Sequence, residues 1–357
     1  MRKMVSGILD RAMTKTPPLV FFFLGFSLAA VLGSCARPVS RSQFVLGTAC
    51  TIRAEGLRDE RVLDQAFARL AQIENELSVN KPGSQIDAVN ASAGLAPVSV
   101  GPDALAILRR DLELASWSGG AFDPSVGPLV KLWGIGFQRT GTASPPPSAD
   151  IAAAKALVGW RDIELDEAKG EVYLRRKGMA LDLGSTSKGY AADEVAKILR
   201  SGGVTSAVID LGGNVLVLGS RPDGKPWRIA LQNPFSSERG AYLGIASIAD
   251  ETMVTSGVYE RFFIDKDTGK RYHHILDTST GYPVDNGLMS VTIVTTKSFD
   301  ADGFTTTVFA LGREKGMALA KAKGVDVIIV DKDRKVYMST GVSTYFEITD
   351  PSFSPAE

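Results

Sequence analysis

Cysteine and histidine are nearly missing from this chain: it has two of each in 357 residues. So few cysteines exclude a small disulfide-stapled domain. The two histidines are adjacent, His273-His274, with no cysteine near them, which excludes a zinc signature. Surplus charge of one sign is missing too. Forty basic side chains face forty acidic ones, and 44% of residues are hydrophobic. That balance excludes a nucleic-acid protein held by bulk charge, and a disordered chain. The usual fingerprints G-x-G-x-x-G, G-x-x-x-x-G-K-[ST] and G-x-S-x-G are all absent. There is no repeat and no low-complexity tract. The length suits one large or two modest domains with a sizeable core.

Only one long apolar run exists, Leu19 to Leu32, preceded by Arg2, Lys3, Arg11 and Lys15. It is short for a membrane span, which needs about 20 residues, and reads as an export signal. Leu32-Gly33-Ser34-Cys35 resembles a bacterial lipobox, in which Cys35 becomes the lipid-modified (palmitate-bearing) first residue of the mature lipoprotein. A plain secretory signal or an uncleaved anchor is the alternative. In each case the folded part is expected beyond the cytoplasmic membrane, in the periplasm. The expected division is residues 1–34 as signal, 35–43 as tether and 44–350 as the folded domain, in one or two subdomains. With Cys35 acylated only Cys50 remains, so no internal disulfide is expected.

Periodicity supplies the elements. Leu63, Phe67, Leu70, Ile73 and Leu77 mark a helix over Arg61 to Leu77, and Leu105, Leu108, Leu112 and Ala115 another over Pro102 to Trp117. Phe44 to Ile52 reads as a strand interrupted at Gly47-Thr48, with Ser78 to Ser84 and Thr142 to Ser148 as loops. Beyond residue 207 the pattern turns to β. Strands are expected around Asp210 to Asn214, at Trp227–Leu231, Tyr242–Ile248, Arg261–Ile264, Tyr272–Leu276, Leu288–Thr295, Val325–Val330 and Lys335–Met338. Two further helices fall at Asp300–Leu311 and Glu314–Ala322. This mixed order fits α+β, with mixed sheets flanked by helices, better than a regular βαβ winding.

The rest is organised around Ala180 to Asp193. Gly178-Met-Ala-Leu181 reads as a short strand, Gly184 as the turn, and Ala191, Val195, Ile198 and Leu199 as the apolar face of a helix that stops at Gly202-Gly203. Asp182 then ends a strand and Lys188 starts a helix, where free N–H groups and the dipole favour an anion. Read alone, this is as well an ordinary β-loop-α connection with a solvated lysine. Asp302 and Thr306, four apart in an expected helix, share one face. A carboxylate and a hydroxyl are hard donors suited to Mg²⁺ or Ca²⁺, although a helix-start Asp with a back-bonding Thr gives the same spacing. In a strand, adjacent residues face opposite sides, so at most one of His273 and His274 enters a given site.

The segments Leu46-Gly-Thr48, Glu76-Leu-Ser78, Phe122-Asp-Pro-Ser-Val-Gly-Pro-Leu129, Leu181-Asp-Leu-Gly184 with Lys188-Gly-Tyr190, Asp210-Leu-Gly-Gly-Asn214, Ser256-Gly257 with Tyr259 and Arg261, Tyr272-His-His-Ile275 with Thr280-Gly281, and Ala301-Asp302 with Thr305-Thr306 come in one order. Together they resemble the ApbE family, the FAD:protein FMN transferases. The resemblance implies FAD as substrate and Mg²⁺ as cofactor. FMN passes to a threonine of an acceptor flavoprotein, itself membrane-associated, and AMP leaves. It implies that the flavin nucleotide meets Leu46, Asn80, Ala121, Phe122, Asp123, Asp182, Lys188 and Leu276. Asp302 and Thr306 would hold the metal with Ser185, and His274 would handle the proton. Asn80 stands where many relatives have an aromatic, so an FAD pyrophosphatase giving AMP and FMN stays open, as does a non-catalytic FAD-binding lipoprotein. Ser185-Thr-Ser187 replaces the small apolar residues usual before the lysine, and Leu46 the usual Met.

Overall fold

Strand-forming segments with apolar residues at every position point to a sheet buried on both faces, and the computed structural model, which describes residues 38–238 and 240–356, contains one. Its nine strands are β1 (Val39–Val45), β2 (Thr48–Ala54), β7 (Ala207–Leu211), β8 (Asn214–Leu218), β11 (Thr252–Gly257), β14 (Leu288–Thr295), β15 (Asp326–Asp331), β16 (Lys335–Met338) and β18 (Ser354–Ala356), in that spatial order. All neighbours are antiparallel except β16 and β18.

Alternation along β15 shows the two faces. Val327 and Ile329 join the core that holds Phe304, Val308 and Phe309, whereas Ile328 and Val330 join the core that holds Trp227, Leu243 and Phe346. The first face carries α1 (Arg61–Leu77), α6 (Ser187–Ser201), α7 (Ser298–Leu311) and α8 (Arg313–Lys323). The second is covered by a small sheet of β9 (Trp227–Gln232), β10 (Tyr242–Ile248) and β17 (Phe346–Ile348).

The remaining elements build the rim. They are α2 (Gln85–Ala91), α3 (Pro102–Ser118), α4 (Gly127–Trp133) and α5 (Ser148–Lys155), with two three-stranded sheets. One sheet is β3 (Val98–Ser99), β6 (Glu171–Leu174) and β5 (Ile163–Asp166); the other is β13 (Arg271–His273), β12 (Phe262–Asp265) and β4 (Gly141–Ala143). The α+β expectation therefore holds.

Boundaries differ where turns or tertiary pairing decide them. β1 starts at Val39, so residues 39–43 of the expected tether are strand, and Leu46-Gly47 is the tip of a β1–β2 hairpin rather than an interruption. Residues 178–181 form no strand; only an isolated bridge joins Ala180 to Val126. The expected Thr142–Ser148 loop gives its first residues to β4, which pairs with β12. The strand expected at Tyr272–Leu276 ends at His273. The export signal, Cys35 and the start of the tether lie outside the described residues.

Candidate active site

The Asp182–Lys188 loop is pinned from both sides. Asn90 grips Leu181 with two hydrogen bonds, accepting its N–H at 2.6 Å and donating to its carbonyl at 3.1 Å. On the other side, Asp182 N–H donates to the Pro124 carbonyl at 2.9 Å and Gly127 N–H to the Ala180 carbonyl at 3.1 Å. A Cβ on Gly127 would lie 2.6 Å from that carbonyl oxygen, so only glycine allows the approach. Asp182 Oδ1 then accepts the Gly184 N–H at 2.8 Å and closes the turn. Burial raises the pKa of the Asp182 carboxyl, opposed by the Gly184 N–H and the Arg261 charge.

Two helices meet behind this loop through reciprocal carboxylates. The N-terminus of α7 is capped from α6: Asp193 accepts the Ser298 and Phe299 N–H groups at 2.9 and 3.0 Å. The first turn of α6 is capped from α7: Asp302 Oδ2 accepts the Gly189 N–H at 2.9 Å. Each satisfies donors that a helix start leaves open. Asp302 is buried, with Oδ1 3.7 Å from the Lys188 ammonium. Burial raises its pKa, against the pull of Lys188, the Gly189 N–H and the Asn214 amide. One turn along the same face stands Thr306, half-buried, and Ser185 is half-buried in the loop.

Among the described residues no group of three or more His, Cys, Asp or Glu can hold a metal. A cation here would rest on one carboxylate with hydroxyl and carbonyl oxygens. That all-oxygen set fits a hard ion such as Mg²⁺, which keeps several waters and takes few protein ligands.

The histidines part company as strand geometry requires. His273 is buried against Phe309; its Nε2 donates to the Val284 carbonyl at 2.8 Å and its Nδ1 accepts the Ile275 N–H at 3.3 Å, so it is a neutral structural group. His274 faces the other way. Its Nδ1 lies 3.3 Å from the Arg261 carbonyl, an acceptor only, so Nδ1 carries the proton and Nε2 keeps its lone pair. Burial, then the charges of Arg261, His273 and Lys188, bring its pKa down to about 3.

The turn at residues 119–123 reaches the same region, since the Thr278 hydroxyl donates to the Gly120 carbonyl at 2.6 Å. Ala121 is half-buried there. Phe122, however, packs into the core with Phe304. The Asp123 carboxylate is spent on the loop, accepting the Ser125 N–H and hydroxyl at 2.8 and 2.6 Å and the Trp160 N–H at 2.9 Å. What this turn can offer a ligand is therefore backbone. Leu276 is likewise buried, beside Leu129 and Trp133.

Leu46 and Asn80 are brought together by Glu74, which accepts from Gly47 N–H at 3.3 Å and from Lys81 Nζ at 2.6 Å. Leu46 holds φ 57°, a left-handed conformation that costs a side chain about 1–2 kcal/mol. Asn80 is exposed.

Three contributors escaped sequence reasoning. Asp193 closes the central motif by position but shows no capping role until α7 is in place. Asn214 is buried, accepting the Ser298 hydroxyl at 2.6 Å. Asp111 interrupts the buried stripe of α3 between Ile107, Leu108 and Leu114, a signal that was there to be read. Burial pushes its pKa well above the ordinary carboxylate range.

This geometry can be set beside known proteins. The ApbE family model matches residues 46–329. An FAD:protein FMN transferase of Klebsiella pneumoniae (strain 342) is 39% identical over 318 residues, covering 89% of this chain and 96% of the relative. One of Treponema pallidum (strain Nichols) is 37% identical over 345 residues, covering 90% and 94%. Among solved structures, the flavin transferase ApbE from Vibrio cholerae superposes with a TM-score of 0.77 at 28% identity, over 87% of this chain and 99% of that one.

Proposed function

The chain belongs to the ApbE family, and on that premise we propose that it moves FMN from FAD onto a threonine hydroxyl of an acceptor protein, releasing AMP. The threonine oxygen attacks the FMN-side phosphorus and a new P–O bond forms. The bond to the bridging oxygen breaks, and AMP leaves with that oxygen and the electron pair. The observation that carries the reading is the meeting of Asp302, locked by Gly189, with the Lys188 ammonium at 3.7 Å. His274, whose Nε2 has no hydrogen-bond partner among the described residues, lies close enough to feel the Lys188 charge. Lys188 sits at the start of α6, where dipole and ammonium together favour a phosphate.

His274 suits the threonine proton by geometry, because Arg261 fixes its tautomer. A pKa of about 3 makes it a weak base in the free protein. A pyrophosphate brought beside it adds negative charge, which favours the imidazolium and raises that pKa. Asp302, Thr306 and the Ser185 carbonyl are the residues that would hold Mg²⁺. The ion would supply charge neutralisation on the pyrophosphate. Leu46, Asn80, Asp182, Lys188, Leu276 and the backbone of 121–123 are the flavin-nucleotide contacts in this reading. With Cys35 lipidated, the enzyme works anchored to a bacterial membrane, facing the periplasm, on membrane-associated flavoproteins.

The test incubates protein with FAD, Mg²⁺ and a threonine-containing acceptor, following AMP release and in-gel flavin fluorescence together. AMP with a fluorescent acceptor band is expected. Bound FAD without AMP overturns the reading, and Asp302→Ala that leaves AMP release intact overturns the metal assignment.

A second reading rests on Asn80, whose exposed side chain offers no flat ring to stack on an isoalloxazine or adenine. Water then replaces threonine as nucleophile, giving AMP and free FMN. Asn80→Tyr is expected to retain FAD longer and to lower the share of free FMN. An unchanged ratio removes Asn80 from the argument.

A further inference from the structure

Thr186 occupies the N-cap of α6, yet its hydroxyl makes no capping bond. A threonine there ordinarily accepts the N–H of the second or third helical residue. The third is Gly189, and that N–H goes to Asp302. The Thr186 hydroxyl turns inward instead, to Asp111 Oδ2 at 3.2 Å, with a longer approach to the Leu183 carbonyl at 3.4 Å. Asp111 is fully buried, and its Oδ1 has no partner among the described residues. Around it on α3, Ile107, Leu108, Leu114 and Ala115 are apolar. An aliphatic side chain would fit that stripe without the desolvation cost of a carboxylate. Thr186 is also wedged against α7: its Cγ2 lies 3.3 Å from where a Cβ on Gly303, next to Asp302, would stand.

We infer that Asp111 is a positioning residue for the candidate cation site, holding the Thr186 hydroxyl away so that the Gly189 N–H is left to Asp302. The inference rests on the cation reading of Asp302 and Thr306. Two oxygens are candidates for one donor: the Asp302 carboxylate, which holds it, and the Thr186 hydroxyl, whose N-cap position ordinarily serves it. With Asp111 in place they do not compete. Without it, Thr186 is free to become an ordinary N-cap, Asp302 loses the bond that orients Oδ2, and the Ser185–Thr186 turn moves with the hydroxyl.

The experiment measures Mn²⁺ binding to the detergent-solubilised full-length protein, by the electron paramagnetic resonance signal of the free ion, with no flavin present. Asp302→Ala, the control, is expected to lose binding. Asp111→Leu is expected to weaken it by about tenfold or more, the usual scale for losing a group behind a metal ligand. Asp111→Asn, whose amide oxygen still accepts from Thr186, should stay close to wild type. Thr186→Val should too, because valine cannot cap Gly189, and for the same reason Asp111→Leu with Thr186→Val should regain most of the loss.

A bond that served only to hold the fold together would make Thr186→Val as harmful as Asp111→Leu, because either change leaves a buried polar group without its partner. The inference is overturned if Asp111→Leu binds as wild type, or if the double variant stays as weak as Asp111→Leu. Should Asp111→Leu not fold, Thr186→Val and Asp111→Asn carry the test, and a loss in either as large as that of Asp302→Ala overturns it. If Asp302→Ala itself binds normally, the cation reading has failed; if Asp302→Ala alone loses binding, that reading stands and only the role of Asp111 falls.

Discussion

The backbone N–H of Gly189 donates to Asp302 Oδ2 at 2.9 Å, and a Cβ on Gly189 would lie 2.7 Å from the Asp302 Cβ and 2.2 Å from the Ser298 carbonyl oxygen. The helices α6 and α7 are therefore in backbone contact where the candidate chemistry sits. Gly189→Ala must push them apart. Overpacking of this kind costs about 1–3 kcal/mol, and Asp302 moves with α7. The expected outcome is a lower midpoint in thermal unfolding and AMP release reduced beyond what the unfolded fraction explains. An alanine variant with wild-type turnover would show that the contact is slack.

Asp302→Asn separates charge from shape. The amide oxygen still accepts from Gly189, so the fold should hold and FAD should bind. AMP release should fall by about 10²–10³, as when one group stabilising developing charge is lost. Stripping divalent ions with a chelator should have the same effect on the wild type, restored by Mg²⁺. Calorimetry of FAD binding beside a turnover assay distinguishes these outcomes from simple unfolding.

Arg69 on α1 joins three elements. Its guanidinium meets Asp103 of α3 at 2.7 Å and Glu194 of α6 at 2.9 Å, and Tyr190 donates to Asp103 at 2.7 Å. All are largely shielded, so removing the cation leaves Asp103 with the Tyr190 hydroxyl alone and Glu194 with Lys197 alone. Arg69→Met is expected to cost about 3 kcal/mol, the scale for breaking a buried pair from one side. Urea unfolding measures it, and a loss below about 1 kcal/mol would class the pair with surface bridges.

His274 gives a pH dependence whose sign can be worked out. In the unfolded chain it takes a proton near pH 6.5; in the fold it does not until about pH 3. Between those values the unfolded state binds the extra proton, so falling pH favours unfolding. The buried carboxyls of Asp111 and Asp123 and the half-buried ones of Asp182 and Asp193 have raised pKa values and act in the opposite direction. Comparison with His274→Gln isolates the histidine. The variant's melting temperature relative to wild type should climb as pH drops from about 7 to 5, by thermal shift. A flat difference would mean an ordinary imidazole.

Much of this was legible in the sequence where local rules govern. The helix over Arg61–Leu77 and the strands Tyr242–Ile248, Leu288–Thr295 and Lys335–Met338 have the bounds that periodicity alone predicts. Lys188 falls at a helix start as expected, although α6 begins at Ser187, four residues before the first apolar position used to find it. Ala180 is different: its bridge to Val126 comes from a segment about 50 residues away, and no local pattern reports it. The same holds for capping. A reader of Thr186 expects it to cap its own helix, because the competing carboxylate lies 116 positions further on, from 302 minus 186. Asp123 and Phe122 stand within a recognisable motif, yet their side chains serve the loop and the core.

The paired carboxylates also bear on how the protein becomes active. Asp193 reaches Ser298 across 105 residues, and Asp302 reaches Gly189 across 113. Neither carboxylate cap can form until the other helix has docked, so a chain with only one of them in place gains neither cap. Closing contacts of such separation is slow relative to forming either helix. A chain that is still folding therefore holds no half-built candidate site. Amide exchange should report the Gly189 and Ser298 protons opening together, in one cooperative unit, and never singly.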